Sequence, residues 1–245
     1  MEFSTEGYIK LLNLLIDKGY NFCFYDEIDE DKKTVILRHD VDYTIDNALS
    51  MAKVEHNLGV KSTYFFLLTT DFYNLYSRNA TEKLQKILSL GHGIGLHFDE
   101  KRYDVYTVDD VKQYVQKEIT LLSELLNREV NVVSMHRPSK LILNNDIQFD
   151  NIINSYSSKF FNEIKYISDS RMYWREDPIQ TINSDSYYQL HVLTHPFWFF
   201  TEGKTMKEKL ETFIRHAMEN RYDNINENFR QLEEVLPKSD YFEWI

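Results

Sequence analysis

The sequence predicts an α/β fold in which a mostly parallel sheet forms a TIM-like (β/α) barrel. Helical and strand-like patterns alternate along all 245 residues, which is the order of elements that produces a parallel sheet. Polar residues also follow several separate predicted strands. A barrel collects such residues at the C-terminal ends of its strands, whereas a doubly wound sheet concentrates them near one switch point. We therefore expect a single domain over residues 1–245, with its active site at that end of the barrel.

The individual elements follow from the spacing of apolar residues and from cap and turn residues. A first helix is predicted from about Thr5 to Lys18, with a glycine as its C-terminal stop. The strand Thr34–Arg38 comes next, and Thr44 is suited to cap a second helix that ends at Gly59. The later predicted strands are residues 62–68, 93–97, 130–135, 164–168 and 189–194. The later predicted helices are Thr81–Leu90, Val108–Leu126, Met206–Tyr222 and Ile225–Leu236.

Composition excludes several classes of protein. With 42% hydrophobic and 27% charged residues, the chain matches neither a disordered protein nor a membrane protein. A formal net charge of -11 argues against a nucleic-acid-binding surface. The sequence has no apolar run of about 18 residues and no signal peptide, so we expect a cytoplasmic protein without a transmembrane segment. The single cysteine, Cys23, lies in the apolar run YNFCFY, which favours a buried structural thiol over a nucleophile.

The stretch VILRHDVDY, residues 35–43, places two carboxylates, Asp40 and Asp42, directly after an apolar strand. Side chains two residues apart on a strand point the same way, roughly 6–7 Å from each other, so these carboxylates would repel and resist desolvation. A divalent metal ion would compensate, with one carboxylate as ligand and the other left as a base toward water. The alternative is a surface turn in which Thr44 and Asp46 only cap the next helix.

Histidines and an arginine lie at two further strand ends. His97 ends the strand GIGLH, and this position favours it as a metal ligand over His92, which we expect to hydrogen-bond the preceding turn. In SMHRPS, His136 and Arg137 close another strand. Because an arginine beside carboxylates keeps them ionised and orients them, Arg137 is a candidate partner for the two aspartates.

An aromatic cluster follows the last predicted strand, in the stretch VLTHPFW. His195 ends that strand, and the aromatic residues after it are Phe197, Trp198, Phe199 and Phe200. Aromatic faces can stack on sugar rings, and they are also ordinary core material. Both interpretations stay open for each of these residues.

Taken together and in this order, five stretches resemble the motifs of the polysaccharide deacetylase superfamily, the NodB-homology or family 4 carbohydrate esterases. The stretches are RHDVDY, GHGIGLHF, HRPS, SDSRMYW and VLTHP, and they span roughly residues 34 to 200. The set is most similar to members found in surface-polysaccharide biosynthesis clusters. The resemblance implies a distorted barrel with seven strands and one divalent metal ion of the zinc type, with cobalt, nickel or manganese as alternatives.

The resemblance also implies a role for individual residues. These are general base for Asp40, metal ligand for Asp42 and His97, orientation of the base for Arg137 and general acid for His195. Asp169 and Trp174 lie in the stretch that loosely resembles the fourth motif, and we predict that they bind substrate together with Trp198 of the aromatic cluster. The sequence departs from the family pattern at two points. The metal-binding aspartate lies two residues after the base instead of next to it, and Lys101 stands where the second motif usually supplies another histidine.

The third protein ligand of the metal must therefore come from another residue. Asp99 faces the same way as His97 only if the strand extends that far, and Glu100 would face away on an extended chain. His136 ends a different strand at the same end of the barrel, and imidazole suits zinc well. We favour His136 as the third ligand, with Asp99 as the alternative.

From these residues we predict a metal-dependent hydrolase that removes an N-acyl group, in particular acetyl, from an amino sugar of a glycan or glycan precursor. One alternative is a C–N hydrolase that acts on an amide outside sugars. Another is a degenerate barrel that binds glycan without hydrolysis, which Lys101 suggests. The plainest alternative is a soluble barrel whose polar strand ends are unrelated.

Overall fold

The computed structural model describes the backbone of residues 1–242 and the side chains of residues 1–240. The strands are β1 (Asn21–Phe22), β2 (Thr34–Val41), β3 (Thr63–Phe66), β4 (Gly93–Phe98), β5 (Val132–Met135), β6 (Ile153–Asn154), β7 (Lys165–Ser170), β8 (Tyr173–Trp174) and β9 (Gln189–Thr194). The helices are α1 (Thr5–Asp17), α2 (Ile45–Asn57), α3 (Arg78–Ser89), α4 (Val108–Leu126), α5 (Lys140–Leu143), α6 (Pro178–Asn183), α7 (Pro196–Phe200), α8 (Met206–Asn226), α9 (Leu232–Val235) and α10 (Ser239–Phe242). The chain forms two compact units, residues 1–200 and residues 201–245.

The sheet lies in the first unit and has the order β6-β5-β4-β3-β2-β9-β7-β8, with β1 paired to β2. All strand pairs are parallel except β7 and β8, which form an antiparallel hairpin. The sheet is curled, and within the described residues its end strands β6 and β8 do not pair with each other. This topology confirms the predicted α/β fold with a distorted TIM-like barrel. Because the strands are parallel, the residues that follow them gather at one end.

Strand β2 is central in the sheet and is buried along its whole length. It continues past the predicted end at Arg38, because its backbone pairs with β3 as far as Val41↔Phe66. Asp40 therefore lies inside a strand, and the surface-turn interpretation is wrong for it. Thr44 nevertheless caps α2, since its hydroxyl accepts a hydrogen bond from the backbone N–H of Asp46 at 3.2 Å.

The side chains of β2 alternate between the barrel interior and the surrounding helices. Ile36 points inward and belongs to an apolar cluster that also contains Cys23, Tyr25, Phe65, Val132, Phe160 and Ile164. Arg38 and Asp40 follow on the same side, toward the C-terminal end of the barrel. The interior is narrow, because a Cβ on Gly95 would lie 2.5 Å from the ring of Phe65. The predicted burial of Cys23 is confirmed, and burial raises the pKa of its thiol to about 11.

Helix boundaries differ from the prediction at three places. Helix α3 begins at Arg78 instead of near Thr81, because the hydroxyl of Ser77 accepts a hydrogen bond from the N–H of Ala80 and so caps the helix earlier. The predicted break between Tyr222 and Ile225 was wrong, since α8 runs without interruption to Asn226. Neither glycine nor proline occurs at this point to end a helix. The predicted helix Ile225–Leu236 was wrong as well, because residues 227–231 are not helical and only Leu232–Val235 forms α9.

The second unit is helical in the residues that the structure describes. Helix α8 starts with a capping box, in which Thr205 and Glu208 bond each other's backbone N–H groups. The hydroxyl of Tyr222 donates to Glu233 at 2.7 Å and so connects α8 to α9. Within the described part of the chain, no helix combines the length and the apolar character needed to cross a bilayer.

Candidate metal centre and catalytic site

Three side chains, carried in or directly after strands β2, β4 and β5, meet at the C-terminal end of the barrel. Asp42 follows β2, His97 lies in β4 and His136 follows β5. Asp42 Oδ1 lies 3.3 Å from both His97 Nε2 and His136 Nδ1, and the two nitrogens are 3.1 Å apart. The three residues that the sequence favours as metal ligands therefore form one group. That they bind a metal ion stays a prediction.

The dimensions of this group fit a divalent metal ion. Zinc bound to nitrogen or oxygen at 2.0–2.1 Å in tetrahedral geometry separates its ligand atoms by about 3.3–3.4 Å. Asp42 Oδ1 is buried and has no hydrogen bond to any described residue, although both imidazoles lie beside it. A buried carboxylate oxygen in this state is costly, and a cation would satisfy it. Burial opposes the ionisation of Asp42, but His136 and His97 outweigh it, so its pKa lies well below the usual range.

A hydrogen-bond chain behind His97 prepares this imidazole for a metal. His97 Nδ1 lies 2.7 Å from the hydroxyl of Ser134, and Ser134 donates to Asp40 Oδ1 at 3.3 Å. Because the hydroxyl proton is used on Asp40, Ser134 accepts from Nδ1–H of His97. The lone pair of His97 is then on Nε2, which is the nitrogen that points at Asp42.

Asp40 is held by an arginine of its own strand. Arg38 donates from Nε to Asp40 Oδ1 at 2.9 Å and from Nη2 to Oδ2 at 2.7 Å, and both side chains are buried. The guanidinium also lies 4.8 Å from the ring centre of Tyr156. Burial opposes the charge on Asp40, but Arg38 outweighs it and lowers the pKa of Asp40 to about 2. Asp40 is therefore ionised at neutral pH.

The expected contact between Arg137 and Asp40 is wrong. Arg137 donates to Asp99 at 2.9 Å, and 61% of its side chain is exposed. Its backbone has a left-handed φ of 47°, which ends the extended alternation of β5 and turns the side chain away from the barrel interior. Arg38 takes the place that the family resemblance had implied for Arg137.

The residues considered as alternatives for the third ligand bind other groups. Asp99 accepts a hydrogen bond from Arg137 and another from the backbone N–H of Lys101, the latter at 3.1 Å. With this second bond it caps a short 3₁₀ turn. Glu100 accepts from both the backbone and the hydroxyl of Ser139. Strand β4 ends at Phe98, and although the backbone of Asp99 is still extended, one of its carboxylate oxygens bonds Lys101 and the other bonds Arg137.

His195 stands opposite the three candidate ligands, with its Nε2 at 3.8 Å from Asp42 Oδ2. Its Nδ1 bonds Asp169 Oδ1 at 2.5 Å, and its backbone N–H donates to Asp169 Oδ2 at 3.1 Å. Burial opposes the charge on His195, but Asp169 outweighs it and raises the pKa of His195 to about 9. His195 is therefore protonated at neutral pH, with Nε2–H directed at the site.

The three residues predicted to bind substrate are buried and contact other residues of the protein. Asp169 is 1% exposed, and both of its oxygens bond His195, so it acts on the histidine and does not face a ligand. Trp174 is 7% exposed and packs on Phe3 and Phe199, with ring centres 6.1 and 6.4 Å away. Trp198 is 5% exposed and packs on Phe197 at 4.8 Å. Buried ring faces cannot stack on a sugar, so core packing is the correct interpretation for both tryptophans.

Sequence reasoning missed two residues of the site, Arg38 and Ser134. Arg38 lies two residues before Asp40 on a strand, and the period of two already places both side chains on one face. Ser134 had no comparable signal, because its contact with His97 depends on the pairing of β4 with β5, in which His97 is opposite Ser134.

No protein-family model matches the sequence, and no curated protein matches it. Among solved structures, the chain is similar to the Streptococcus pyogenes deacetylase PplD in complex with acetate, with 14% identity, coverage of 85% of this chain and 86% of that chain, and a TM-score of 0.46. It is also similar to a family 4 carbohydrate esterase from Bacillus anthracis, with 15% identity, coverage of 92% and 90%, and a TM-score of 0.41.

A third similar structure is BA3943, a family 4 pseudoenzyme from Bacillus anthracis. The identity is 15%, the match covers 78% of this chain and 63% of that chain, and the TM-score is 0.43. This chain thus spans less than two thirds of the pseudoenzyme. Two of these three proteins are described as members of carbohydrate esterase family 4, the family that the sequence motifs resemble. Such similarities do not assign roles to individual side chains, so the function is argued from the site itself.

Proposed function

We propose that this protein is a metal-dependent hydrolase that removes an N-acetyl group from an amino sugar of a glycan or glycan precursor. The observation that supports the proposal most directly is the group of Asp42, His97 and His136, which lies between an ionised carboxylate and a protonated imidazole. One ion at these three ligands would act as a Lewis acid toward the amide oxygen and would make water a better nucleophile.

The reaction adds water to the acetyl carbon and breaks the C–N bond, giving acetate and a free amine. Asp40 accepts the proton of the attacking water, and Arg38 keeps it ionised and fixed in orientation. A carboxylate with a pKa of about 2 is a weak base, so it serves only toward water that has itself become more acidic.

The leaving nitrogen needs a proton before the C–N bond can break. His195 Nε2 donates that proton, and Asp169 holds the imidazole in the required orientation through Nδ1. Base and acid thus belong to different strands, with Asp40 in β2 and His195 directly after β9. The two groups approach the same centre from different sides.

An aromatic surface lies beside the site for contact with a sugar ring. Tyr43 follows Asp42 directly and is half-buried, and its ring centre lies 5.2 Å from that of Phe72, which is 56% exposed. These rings replace Trp174 and Trp198 as the proposed stacking surface.

The proposal is tested with purified protein and a set of N-acetylated sugar nucleotides and short glycans. Acetate release is measured with and without added zinc or cobalt. We expect metal-stimulated release from at least one amino sugar. In the same assay, Asp40→Asn should lose about 10²-fold or more of turnover while retaining its metal.

Three outcomes would lead to other conclusions. Release only from amides outside sugars would favour the other C–N hydrolase. Glycan binding without bound metal and without cleavage would favour a degenerate binding module. Loss of metal from Asp40→Asn would make Asp40 a ligand and overturn the division of roles between the two aspartates.

A further inference from the structure

The second polar cluster of the barrel wall lies on the opposite side of β2 from the site. His39 points outward between Arg38 and Asp40, and it is completely buried. Its Nε2 lies 2.8 Å from Glu55 Oε1 in α2, and its Nδ1 lies 2.8 Å from the hydroxyl of Thr194 at the end of β9. One imidazole thus connects a helix, the central strand and the strand that precedes His195.

Glu55 is bonded from several elements at once. Besides His39, it accepts from the hydroxyls of Tyr8 in α1 at 2.5 Å, Tyr64 in β3 at 2.5 Å and Ser62 at 2.7 Å. Burial opposes the charge on Glu55, but His39 outweighs it and lowers the pKa of Glu55 to about 2. Each of these donors satisfies part of a buried charge, so the loss of any one of them should cost stability.

The contact between His39 and Thr194 lies where the backbone pairing of β2 and β9 ends. His39↔Thr194 is the last pair of this ladder, and Asp40 and His195 each follow it by one residue. Beyond this point β2 is still paired with β3, through Asp40 and Val41. Asp40 and His195 are not a pair of this ladder, so the His39–Thr194 side-chain bond links the two strands at the point where their backbone pairing ends.

We propose that the Glu55–His39–Thr194 chain sets the separation between Asp40 and His195, so that His39 and Thr194 are positioning residues for the reaction. The expected effect on turnover rests on the proposed function. The expected effect on the separation between Asp40 and His195 rests on the hydrogen bonds alone. His39 cannot touch substrate, since it is completely buried and faces away from the site. Its effect is indirect, and a displacement of about 1 Å in a catalytic group can reduce turnover on the order of 10²-fold.

The test compares two conservative variants of this cluster. Thr194→Val keeps the shape of the side chain and removes only its hydroxyl, which bonds His39. Ser62→Ala removes a different hydroxyl of the same cluster, which donates to Glu55 at 2.7 Å and lies 3.1 Å from His92 Nδ1. Turnover, KM, bound metal and melting temperature are measured for both. We expect Thr194→Val to lose about 10-fold or more of kcat with KM and metal nearly unchanged, and Thr194→Ser to restore it.

Ser62→Ala should lower the melting temperature at least as much and leave kcat near the wild-type value. Equal kcat in Thr194→Val and Ser62→Ala, or failure of Thr194→Ser to restore kcat, would overturn the proposal. Crystal structures of the two variants give a readout that is independent of turnover. In Thr194→Val, His195 Nε2 should move from its 3.8 Å separation from Asp42 Oδ2, and in Ser62→Ala it should not. If the wild-type protein releases no acetate but His195 is displaced in Thr194→Val, the proposed function is refuted and the positioning role stands. If His195 is not displaced in Thr194→Val, the positioning role is refuted.

Discussion

The two faces of β2 carry polar clusters with opposite degrees of hydrogen-bond satisfaction. On the outer face, Glu55 has both oxygens bonded and His39 has both ring nitrogens bonded. On the inner face, Asp42 Oδ1 and Arg38 Nη1 are buried without a hydrogen bond to any described residue. A fully bonded cluster needs no ligand to satisfy its polar atoms, whereas buried polar atoms without a hydrogen bond are costly unless a ligand satisfies them. We therefore assign a ligand to the cluster on the inner face and none to the cluster on the outer face.

The largest effect is expected from breaking the inner face at its candidate metal ligands. His136→Ala removes a nitrogen that lies 3.3 Å from Asp42 Oδ1, so we expect the metal affinity to fall by more than the roughly 10–100-fold that the loss of an outer partner costs. Acetate release should disappear with the metal. Bound metal is measured by elemental analysis of the purified protein.

Asp99→Ala and Lys101→Ala are the matched controls for His136→Ala, because they lie near the site and bond other groups. Both should keep their metal near the wild-type level. Depletion only in Asp99→Ala would transfer the ligand role to Asp99, and full occupancy in all three variants would contradict the assignment of this metal centre.

The next largest effect concerns Asp169, which bonds His195 through both oxygens. Asp169→Asn keeps the size of the side chain but removes the charge that raises the pKa of His195 to about 9. The pKa of His195 should fall, so its acid form is lost at lower pH and the alkaline limb of the kcat profile should move to lower pH. Loss of turnover can reach about 10⁴-fold, as in a comparable Asp–His pair. A full pH–rate profile is the measurement, and an unmoved alkaline limb would remove His195 from the role of acid.

A smaller effect on kcat distinguishes the role of Arg38 from that of Arg137. Arg38→Lys keeps the charge but loses the forked contact with Asp40, so we expect turnover to fall about 10–100-fold together with a decrease in stability. Arg137→Lys changes an exposed side chain bonded to Asp99 and should leave kcat within about 3-fold of wild type. If Arg137→Lys is the more damaging of the two in kcat, Arg137 and not Arg38 orients the base.

The smallest effect concerns Glu118, another buried carboxylate, and the pH dependence of the stability. Glu118 in α4 accepts from Tyr103 at 2.7 Å through one oxygen, and its other oxygen has no hydrogen bond among the described residues. Burial raises the pKa of Glu118 from 4.5 to about 7. Its ionisation therefore opposes folding, so this contribution to stability is complete below pH 4.5 and is lost as the pH rises through about 7.

Glu118→Gln should flatten the decline in unfolding free energy between pH 4.5 and 7, by roughly 3 kcal/mol, in urea titrations at several pH values. Glu55 has the opposite sign, because its lowered pKa gives stability that is present above pH 4.5 and lost as the pH falls toward about 2. The acid side of the curve should therefore remain in Glu118→Gln. An unchanged slope between pH 4.5 and 7 would show that Glu118 is ionised in the folded protein.

Local patterns in the sequence were enough to predict which residues lie at the C-terminal end of the barrel. Alternating patterns predicted the parallel sheet, and Asp40, Asp42, His97, His136 and His195 were all recognisable at strand ends. These are local properties, because a strand's end and its period of two can be read from a few consecutive residues. Arg38 belongs to the same class, since its position two residues before Asp40 already places it on the inner face.

Which of these residues contact each other depends on how the strands pair and how the backbone turns after them. The pairing of β4 with β5 brings Ser134 to His97, and the pairing of β7 with β9 brings Asp169 toward His195. The left-handed turn at Arg137 directs it to Asp99, and packing buries both tryptophans that the motifs had suggested for a sugar. Such contacts join residues far apart in the chain, and their geometry depends on strand register and backbone turns that no local pattern specifies.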